Sequence, residues 1–370
     1  MSLTGSGLLW VLAAVAAALF VAVVSGWPRR GPAALRITGR ALPVLALNGV
    51  VVLGCLAVLN DQYVFYTSWG DLLGARQAHA VAHHGGTTAA AFTAPVRGQG
   101  LANVGGPRDD TLPQPGHRMQ HYTVHDPATG ASVPVLVHLP VGYDPAASRT
   151  YPVILGLHGW PGVPQSFTRG RFLSTVDALT ATHRLAASIV VIPQINDPRT
   201  IDTECVDGRP GEPRTDTWLS TVVPRWVVSH LHADTRRTSW TTLGYSYGGW
   251  CAASVAMRHP DVFGAAVVFE GYFEPDFLAG YDPLGPAQLR GYDLVHLAAA
   301  APPPIAMWVF ASRQDALAYP TTARFLAAAR SPLSVSATIV KVGGHRTAVY
   351  SPYVRPALMW LASTLPGFRP

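Results

Sequence analysis

The chain has 370 residues, of which 49% are hydrophobic and 13% are charged. The charged fraction is about half the usual globular share of roughly 25%, and such a composition excludes a long disordered chain. The net charge is +6, of which +3 lies in residues 1–77 and +3 in the much longer remainder. A basic excess that is spread so thinly is too weak for a nucleic-acid-binding surface, so we expect no nucleic-acid partner. The mean hydropathy of +0.21 favours membrane segments.

Two uncharged apolar runs open the chain, at residues 8–24 and 41–59. Each is close to the roughly 20 residues that a helix needs to cross a bilayer. The stretch between them carries four arginines and no acid, which by the positive-inside tendency places it in the cytoplasm. We therefore predict a two-helix membrane anchor over residues 1–60, with the N-terminus and everything after residue 60 outside. A cleaved signal peptide is the alternative, but positions 2–7 carry no positive charge and no A-x-A site follows.

Residues 61–116 are predicted to form a juxtamembrane segment and a linker. The first part contains aromatic side chains that favour the headgroup interface or pack on the following domain: Tyr63, Phe65, Tyr66 and Trp69. Residues 78–116 are rich in Ala, Gly, Thr and Pro without clear periodicity, which is typical of a linker.

From residue 117 to residue 370, short apolar runs alternate with helical patterns. Runs typical of strands are residues 122–125, 132–139, 152–157, 188–192, 239–243, 265–269, 305–310 and 335–342. The first two flank a turn signal at residues 126–130, which favours a hairpin. Residues 217–231 are predicted to be a helix that Pro224 would kink or end. Continuous apolar strands that alternate with helices predict an α/β domain with a mainly parallel sheet covered on both faces.

Residues 244–248 read Gly-Tyr-Ser-Tyr-Gly and match the G-x-S-x-G pattern of a nucleophile elbow. A strand pattern leads into the motif and a helix of small residues follows it, which is the context that the pattern requires. The glycines allow a tight turn against neighbouring backbone, and such a turn would lift the Ser246 hydroxyl clear of the sheet. A glycine-rich helix cap is the alternative interpretation.

A serine nucleophile needs a base, and the base needs an orienting acid. In this type of fold the chain order is serine, acid, histidine. Two histidines follow the helix after Ser246: His345 lies in a loop just past the last strand, and His296 lies in a predicted helix. Asp315 lies five residues beyond a strand pattern, and Glu270 directly after another strand is the rival acid. The sequence favours Ser246, Asp315 and His345 as the catalytic residues.

The oxyanion that develops during acyl transfer needs preorganised N–H donors. One donor is expected from Tyr247, the residue after the nucleophile. The other is expected from the loop after an early strand, with Trp160 as the first choice and Gly159 as the second. An ordinary Gly/Pro turn is the alternative for this loop. His158 and Glu270 are candidate substrate-pocket residues.

Three blocks of the chain resemble one known family, in the right order. They are residues 133–159, which include VPVLVHLPVGYD and YPVILGLHG, residues 243–264, which include LGYSYGG and RHPDVFG, and the GGH at 343–345. They are similar to the esterase family that includes esterase D, the feruloyl esterases and the antigen 85 mycolyltransferases. The resemblance covers about residues 120–365 and implies an α/β-hydrolase fold with acyl-ester chemistry by Ser246, Asp315 and His345. Glu270 departs from the family, because many relatives have Ser-Gly where this chain has Glu-Gly.

The chain has three cysteines. Cys55 lies inside the second predicted span, Cys205 in a polar loop, and Cys251 on the first turns of the helix after Ser246. Two cysteines in an extracytoplasmic domain favour a disulfide. We therefore predict that Cys205 and Cys251 are bonded, which would pin the loop 195–216 beside the active site. Two unpaired thiols are the alternative.

Together these features predict a multi-pass protein of the cell membrane whose catalytic domain, residues 117–370, lies outside the cytoplasm. We expect a serine esterase that acts on acyl esters, with lipid or envelope-glycolipid esters as candidate substrates, and that uses no metal or other cofactor. An acyltransferase of the mycolyltransferase type is the alternative enzyme. A catalytically silent binding module on the same fold is the alternative from another class.

Overall fold

The computed structural model describes residues 2–27, 30, 32–74, 81–85, 88–98, 100–101, 117–125, 130, 132–146, 148–196, 202–278 and 280–370. Of residues 35–36, 81–85 and 88–89 it describes the backbone alone. The chain divides into two compact units. The first consists of Met1–His79, Arg313–Leu317 and Lys341–Arg346, and the second of Ala80–Ser312, Ala318–Val340 and Thr347–Pro370.

Three helices form most of the first unit: α1 (Ser6–Ser25), α2 (Ala33–Tyr63) and α3 (Trp69–Leu72). The stretches Ser6–Ser25 and Ile37–Tyr63 are long and apolar enough to cross a membrane. Large apolar side chains on them are exposed, as for Trp10 with 74% of its surface accessible. A helix in the core of a soluble domain would bury such side chains, whereas a lipid-facing helix leaves them outward.

The two long helices form an antiparallel hairpin. The N–H of Gly5, before α1, donates to Asp61 Oδ1 at 2.6 Å near the end of α2. The Asn60 side-chain amide donates to Leu3 O at 3.4 Å and to Tyr66 O at 2.9 Å. The start of α1 therefore lies beside the end of α2. Of the arginine-rich connection predicted at the other end, residues 28, 29 and 31 lie outside the described residues.

The second unit is built on a nine-stranded sheet with the order β1-β9-β8-β7-β6-β4-β5-β3-β2. Its strands are β1 (Val81–Gly85), β2 (Met119–His125), β3 (Ser132–His138), β4 (Val153–Leu157), β5 (Ile189–Pro193), β6 (Trp240–Tyr245), β7 (Ala265–Phe269), β8 (Ala306–Ser312) and β9 (Ser334–Val340). The six strands from β9 through β5 in this order pair in parallel. The pairs β1–β9, β2–β3 and β3–β5 are antiparallel. The eight predicted strand runs are confirmed, and the turn predicted between β2 and β3 lies mostly outside the described residues.

Helices of the second unit cover both faces of this sheet. They are α4 (Thr88–Thr93), α5 (Pro164–Thr168), α6 (Phe172–Ala181), α7 (Thr215–Thr217), α8 (Val223–His230), α9 (Tyr247–Arg258), α10 (Pro286–Tyr292), α11 (Leu294–Ala300), α12 (Tyr319–Ala328), α13 (Thr347–Tyr350) and α14 (Val354–Thr364), with 3₁₀ turns at Arg237–Ser239, Ser351–Tyr353 and Pro366–Phe368. On β4, Val153 and Leu155 pack into one apolar core with residues of α8 and α9. Ile154 between them packs into the other core, with residues of α6 and α14. This alternation confirms the α/β class and explains why the central strands are apolar throughout.

The helix predicted over residues 217–231 is present but interrupted. A π-helical segment, Trp218–Val222, joins α7 to α8, and Pro224 lies in the first turn of α8. A proline lacks the N–H that an α-helix would use at that position, and the wider π turn accommodates it. The helical path therefore continues through the proline where a sequence pattern alone predicts a kink or an end.

One strand and one helix fall within residues 78–116, where the sequence predicts a linker. β1 pairs along its whole length with β9, from Val81 opposite Ile339 to Gly85 opposite Val335. Helix α4 follows it directly. An outermost strand has a single partner strand and needs little apolar alternation, so β1 gives no periodic signal in the sequence.

Candidate active site

Ser246 lies on a tight turn between β6 and α9. Its backbone angles are φ 57° and ψ −129°, a region that non-glycine residues rarely adopt and that clusters at functional sites. The turn is held from both sides. The Ser246 N–H donates to Phe269 O at 2.9 Å, and the Ser246 carbonyl accepts from the N–H groups of Gly249 and Trp250 at 2.8 and 3.0 Å. These bonds fix the nucleophile candidate on rigid backbone.

Two glycines make this turn sterically possible. A Cβ at Gly244 would lie 1.9 Å from Gly248 O, and a Cβ at Gly248 would lie 2.2 Å from Leu157 O. Real Cβ atoms do not approach backbone oxygens this closely, so both positions require glycine. The spacing of the G-x-S-x-G motif therefore reflects close packing of α9 against β6 and β4.

The loop after β4 lies beside Ser246. A Cβ built on Gly159 would come within 3.5 Å of Ser246 Cβ. The Gly159 carbonyl accepts from His158 Nδ1 at 2.9 Å and from Gly162 N–H at 2.8 Å. In a trans peptide the carbonyl and the following N–H point in opposite directions, so the Trp160 N–H points away from these two donors. The loop is thus a hydrogen-bonded turn with a fixed peptide plane.

His158 is buried in this loop. Burial lowers the pKa of His158 to about 4, and the hydrogen bond to the Gly159 carbonyl opposes this only in part. The ring is therefore neutral at pH 7. Because a carbonyl oxygen only accepts, Nδ1 carries the proton. His158 thus fixes the orientation of the peptide between Gly159 and Trp160 by its hydrogen bond to the Gly159 carbonyl.

Tyr247 is the first residue of α9, and its side chain is buried. The first N–H groups of a helix have no acceptor within the helix and lie at the positive end of its dipole. The Tyr247 hydroxyl donates to Ile195 O at 3.0 Å and pairs with the Thr203 hydroxyl at 2.8 Å. The side chain thereby ties the loop after β5 to the turn that carries Ser246.

Glu270, the rival acid, follows β7 and is buried. Its φ of 48° is again in the left-handed region, and its N–H donates to Phe310 O at 2.9 Å. It is next in the chain to Phe269, whose carbonyl accepts the Ser246 N–H. Glu270 therefore lies close to the backbone of Ser246.

Asp315 and His345 form a hydrogen-bonded pair in the first unit. His345 Nδ1 lies 2.8 Å from Asp315 Oδ2, and the Leu317 N–H donates to the other carboxylate oxygen at 3.1 Å. Asp315 is fully buried. Because a carboxyl oxygen facing a ring nitrogen at this distance accepts, Nδ1 of His345 carries the proton and Nε2 is the nitrogen that can act as a base. The other histidine considered, His296, lies on α11, where its backbone N–H donates to Asp293 Oδ1 at 2.8 Å.

The comparison with protein families decides the class of this chain. Residues 127–359, well over half of the chain, match the model of the Esterase family, described as "Putative esterase". The chain belongs to the Esterase family. Over 139 residues it is also 31% identical to an uncharacterized protein of Corynebacterium glutamicum. That match covers 37% of this chain and 32% of the relative, so the chain spans about a third of the length of this curated relative.

Solved structures show the fold of this family member. An S-formylglutathione hydrolase from Agrobacterium tumefaciens is 17% identical with a TM-score of 0.57, over 67% of this chain and 95% of that one. A ferulic acid esterase is 18% identical with a TM-score of 0.55, over 66% and 98%. A fluorophosphonate-binding serine hydrolase of Staphylococcus aureus is 18% identical with a TM-score of 0.52, over 66% and 97%. The predicted α/β-hydrolase fold is confirmed.

In this esterase-family chain, a disulfide links the loop after β5 to α9. Cys205 and Cys251 are bonded with their Cα atoms 5.5 Å apart, as the sequence predicts, and Cys55 is free and exposed on α2. The Trp250 indole N–H also donates to Glu204 O at 2.8 Å. The loop is therefore fastened to the first turns of the helix that follows Ser246.

Glu204, beside the disulfide, is a buried carboxyl group that the sequence does not single out. Its carboxylate oxygens accept from the Tyr272 hydroxyl and, at 3.1 Å, from the Asp276 N–H. Burial raises the pKa of Glu204 well above its usual range, and the nearby charge of Asp202 raises it further. The only sequence feature near Glu204 is the acidic run around Cys205, and this pattern is typical of a solvated loop, not of a buried carboxyl group.

We expect removal of the disulfide to destabilise the second unit substantially. The bond joins residues 46 positions apart, and a closed loop of that size is worth about 4 kcal/mol in the chain-entropy model. For a domain of this size that corresponds to a thermal midpoint lower by about 10 °C. The measurement compares the Cys205→Ala/Cys251→Ala variant with wild type in detergent. Cys55→Ala is the matched control and should leave the midpoint unchanged. Alkylation of both Cys205 and Cys251 without prior reduction would contradict the prediction.

Proposed function

We propose that this protein is a membrane-anchored serine esterase whose catalytic domain lies outside the cytoplasm. The observation that carries the proposal is the strained turn at Ser246, with φ 57° between β6 and α9. Strain of this kind costs of order 1–3 kcal/mol and persists where function requires it. Membership of the Esterase family supports the same class of reaction.

In the proposed reaction, Ser246 Oγ attacks the ester carbonyl carbon while His345 Nε2 accepts its proton. Asp315 holds the Nδ1–H of His345 and stabilises the imidazolium that forms. The N–H groups of Tyr247 and Trp160, with Gly159 as the second choice for the latter, stabilise the oxyanion. The leaving alcohol takes the proton from His345, and water then attacks the acyl-serine with His345 again acting as base.

The position of each proposed residue in the chain supports this assignment. Ser246, Asp315 and His345 each follow the carboxyl end of a parallel strand, β6, β8 and β9 respectively. In open α/β sheets, ligands bind at the carboxyl ends of the strands. The hydrogen bond between Asp315 and His345 gives the histidine the tautomer that a base requires. A catalytically silent binding module would need none of these features.

An amphiphilic acyl ester, such as a lipid or an envelope glycolipid, is the proposed substrate class. The two helices that precede the catalytic domain are long and apolar enough to be membrane spans, and a membrane anchor raises the local concentration of lipid-linked esters. With a sugar hydroxyl in place of water, the same acyl-serine would give acyl transfer.

A membrane-impermeant fluorophosphonate probe tests both parts of this proposal. Right-side-out membrane vesicles that contain the wild-type chain should be labelled at Ser246, and vesicles with Ser246→Ala should not, because the probe reacts with an activated serine. Labelling that requires the vesicles to be opened would contradict the outward-facing domain. Labelling of Ser246→Ala to the wild-type extent would contradict the choice of nucleophile.

A further inference from the structure

Residues 64–71, which follow the second predicted span directly, lie against the loop that carries His345. We call them the clamp segment. The His345 N–H donates to Val64 O at 3.0 Å. A Cβ built on Gly344 would lie 2.0 Å from Val64 O and 2.3 Å from Phe65 O. The two stretches of backbone are therefore in direct contact, and Gly344 is required for that contact.

A buried ion pair joins the clamp segment to the residue after His345. The Arg346 guanidinium binds both carboxylate oxygens of Asp71, with Nη1 at 2.8 Å from Oδ2. The side chains are 18% and 2% exposed, respectively. Arg346 also donates to Phe65 O and lies over the Tyr66 ring, 4.4 Å from its centre. A bidentate arginine–carboxylate pair fixes orientation as well as distance.

Asp71 is ionised in this arrangement. Burial raises the pKa of Asp71, but the hydrogen bonds and charge of Arg346 and the Thr67 N–H outweigh it, so the pKa of Asp71 is lowered overall. The Asp71 N–H donates in turn to Ser68 Oγ at 3.1 Å. The Thr67 N–H, which donates to Asp71 Oδ2 at 3.1 Å, and the Ser68 hydroxyl thus orient Asp71 within its own segment.

The clamp segment also reaches the loop of Asp315. The Thr67 hydroxyl donates to Gln314 Oε1 at 2.6 Å, and the same oxygen accepts the Gly343 N–H at 3.3 Å. Gln314 precedes Asp315 in the chain. At the other end, Asn60 on α2 holds Tyr66, since the Tyr66 N–H donates to Asn60 Oδ1 at 2.7 Å. The segment therefore connects the last turn of α2 to both members of the Asp315–His345 pair.

We propose that the clamp segment positions the catalytic histidine, and that Asp71 and Arg346 are positioning residues of the active site. This inference rests on the proposed function, because it gives His345 the role of base. Neither residue needs to touch substrate. A base displaced by about 1 Å from its productive position costs on the order of 10²-fold in rate. The connection to α2 would then be part of the catalytic machinery as well as an anchor.

The test uses the whole 370-residue chain in detergent and a short, water-soluble p-nitrophenyl ester. The measured rate then does not depend on delivery of the substrate from a bilayer. Asp71→Asn and Arg346→Met should each lower kcat by about 10²-fold with KM little changed, because the loss concerns the transition state. The double variant should lose about 10²-fold and not 10⁴-fold, because both substitutions break one interaction. Arg346→Lys, which keeps the charge but not the bidentate fork, should be intermediate.

The matched control is a comparably buried ion pair elsewhere. Arg258, the last residue of α9, binds Asp216 at 3.0 Å, with side chains 24% and 5% exposed. Asp216→Asn should lower the thermal midpoint as Asp71→Asn does while leaving kcat per active site near the wild-type value. Active sites are counted from the end point of fluorophosphonate labelling.

Failure of the positioning role can be distinguished from failure of the proposed function. A near-wild-type kcat in folded Asp71→Asn, or in Arg346→Lys if the former does not fold, would overturn the positioning role while Ser246→Ala stays inactive. Full activity of Ser246→Ala would instead overturn the proposed function. A loss of kcat in Asp216→Asn equal to that in Asp71→Asn would also overturn the positioning role, because it would show that general destabilisation causes the loss.

Discussion

Ser246→Ala is expected to lower kcat/KM for a short p-nitrophenyl ester by at least about 10³-fold and up to about 10⁶-fold, as losses of a nucleophile in a catalytic triad do. The alanine keeps the small volume that the turn between β6 and α9 requires but removes the hydroxyl that would form the proposed acyl-enzyme. The measurement is the initial rate of p-nitrophenol release by purified full-length protein.

Ser254→Ala is the matched control for this substitution. Ser254 is a buried serine on α9, the helix that follows Ser246, and its hydroxyl has no hydrogen-bond partner among the described residues. Its replacement should leave the rate close to that of the wild type, because no polar contact is lost. A rate for Ser246→Ala within tenfold of wild type would mean that another residue is the nucleophile.

Asp315→Asn is expected to lower kcat by about 10⁴-fold, because loss of the orienting aspartate leaves the histidine in the wrong tautomer. In the wild type, the carboxylate accepts from His345 Nδ1 at 2.8 Å and from the Leu317 N–H at 3.1 Å. An asparagine satisfies only one of these donors and carries no charge to stabilise an imidazolium. Steady-state kinetics with the same ester measure the effect.

Glu270→Gln is the comparison that tests the choice of acid. Glu270 is buried next to the backbone partner of Ser246, so its replacement should change the pocket and therefore KM more than kcat. A larger loss of kcat in Glu270→Gln than in Asp315→Asn would show that Glu270, and not Asp315, is the acid that orients the histidine base.

The turn at Ser246 could be predicted from the sequence because its determinants are contiguous. Gly244 and Gly248 flank the serine, and each glycine is required by backbone within the same strand–turn–helix unit or on the neighbouring strand β4. The proximity of Asp315 and His345 could be predicted because the two residues follow neighbouring parallel strands, whose carboxyl ends lie at one edge of the sheet. The disulfide could be predicted because residues 117–370 contain two cysteines and are expected to lie outside the cytoplasm.

The clamp segment could not be predicted, because its contacts join residues far apart in the chain. Asp71 on the short helix α3 and Arg346 in the loop after β9 are separated by 275 positions. The one local signal is the Ser68-x-x-Asp71 pattern, which is typical of a helix N-terminus and is realised in the short helix α3. The pattern predicts a local helix start, but it carries no information about the contact between Asp71 and the loop that contains His345 and Arg346.

The pairing of β1 with β9 has a consequence for shortened forms of this protein. Val81–Gly85 covers the outer side of β9 from Val335 to Ile339. A chain cut at residue 117, where the composition changes, would leave that row of N–H and C=O groups open to strands from other molecules, a template for aggregation. A cut made before Val81 keeps β9 paired on both sides, with only the short strand β1 at the edge of the sheet. A shortened form of the protein should therefore keep β1, although composition alone marks this segment as a linker.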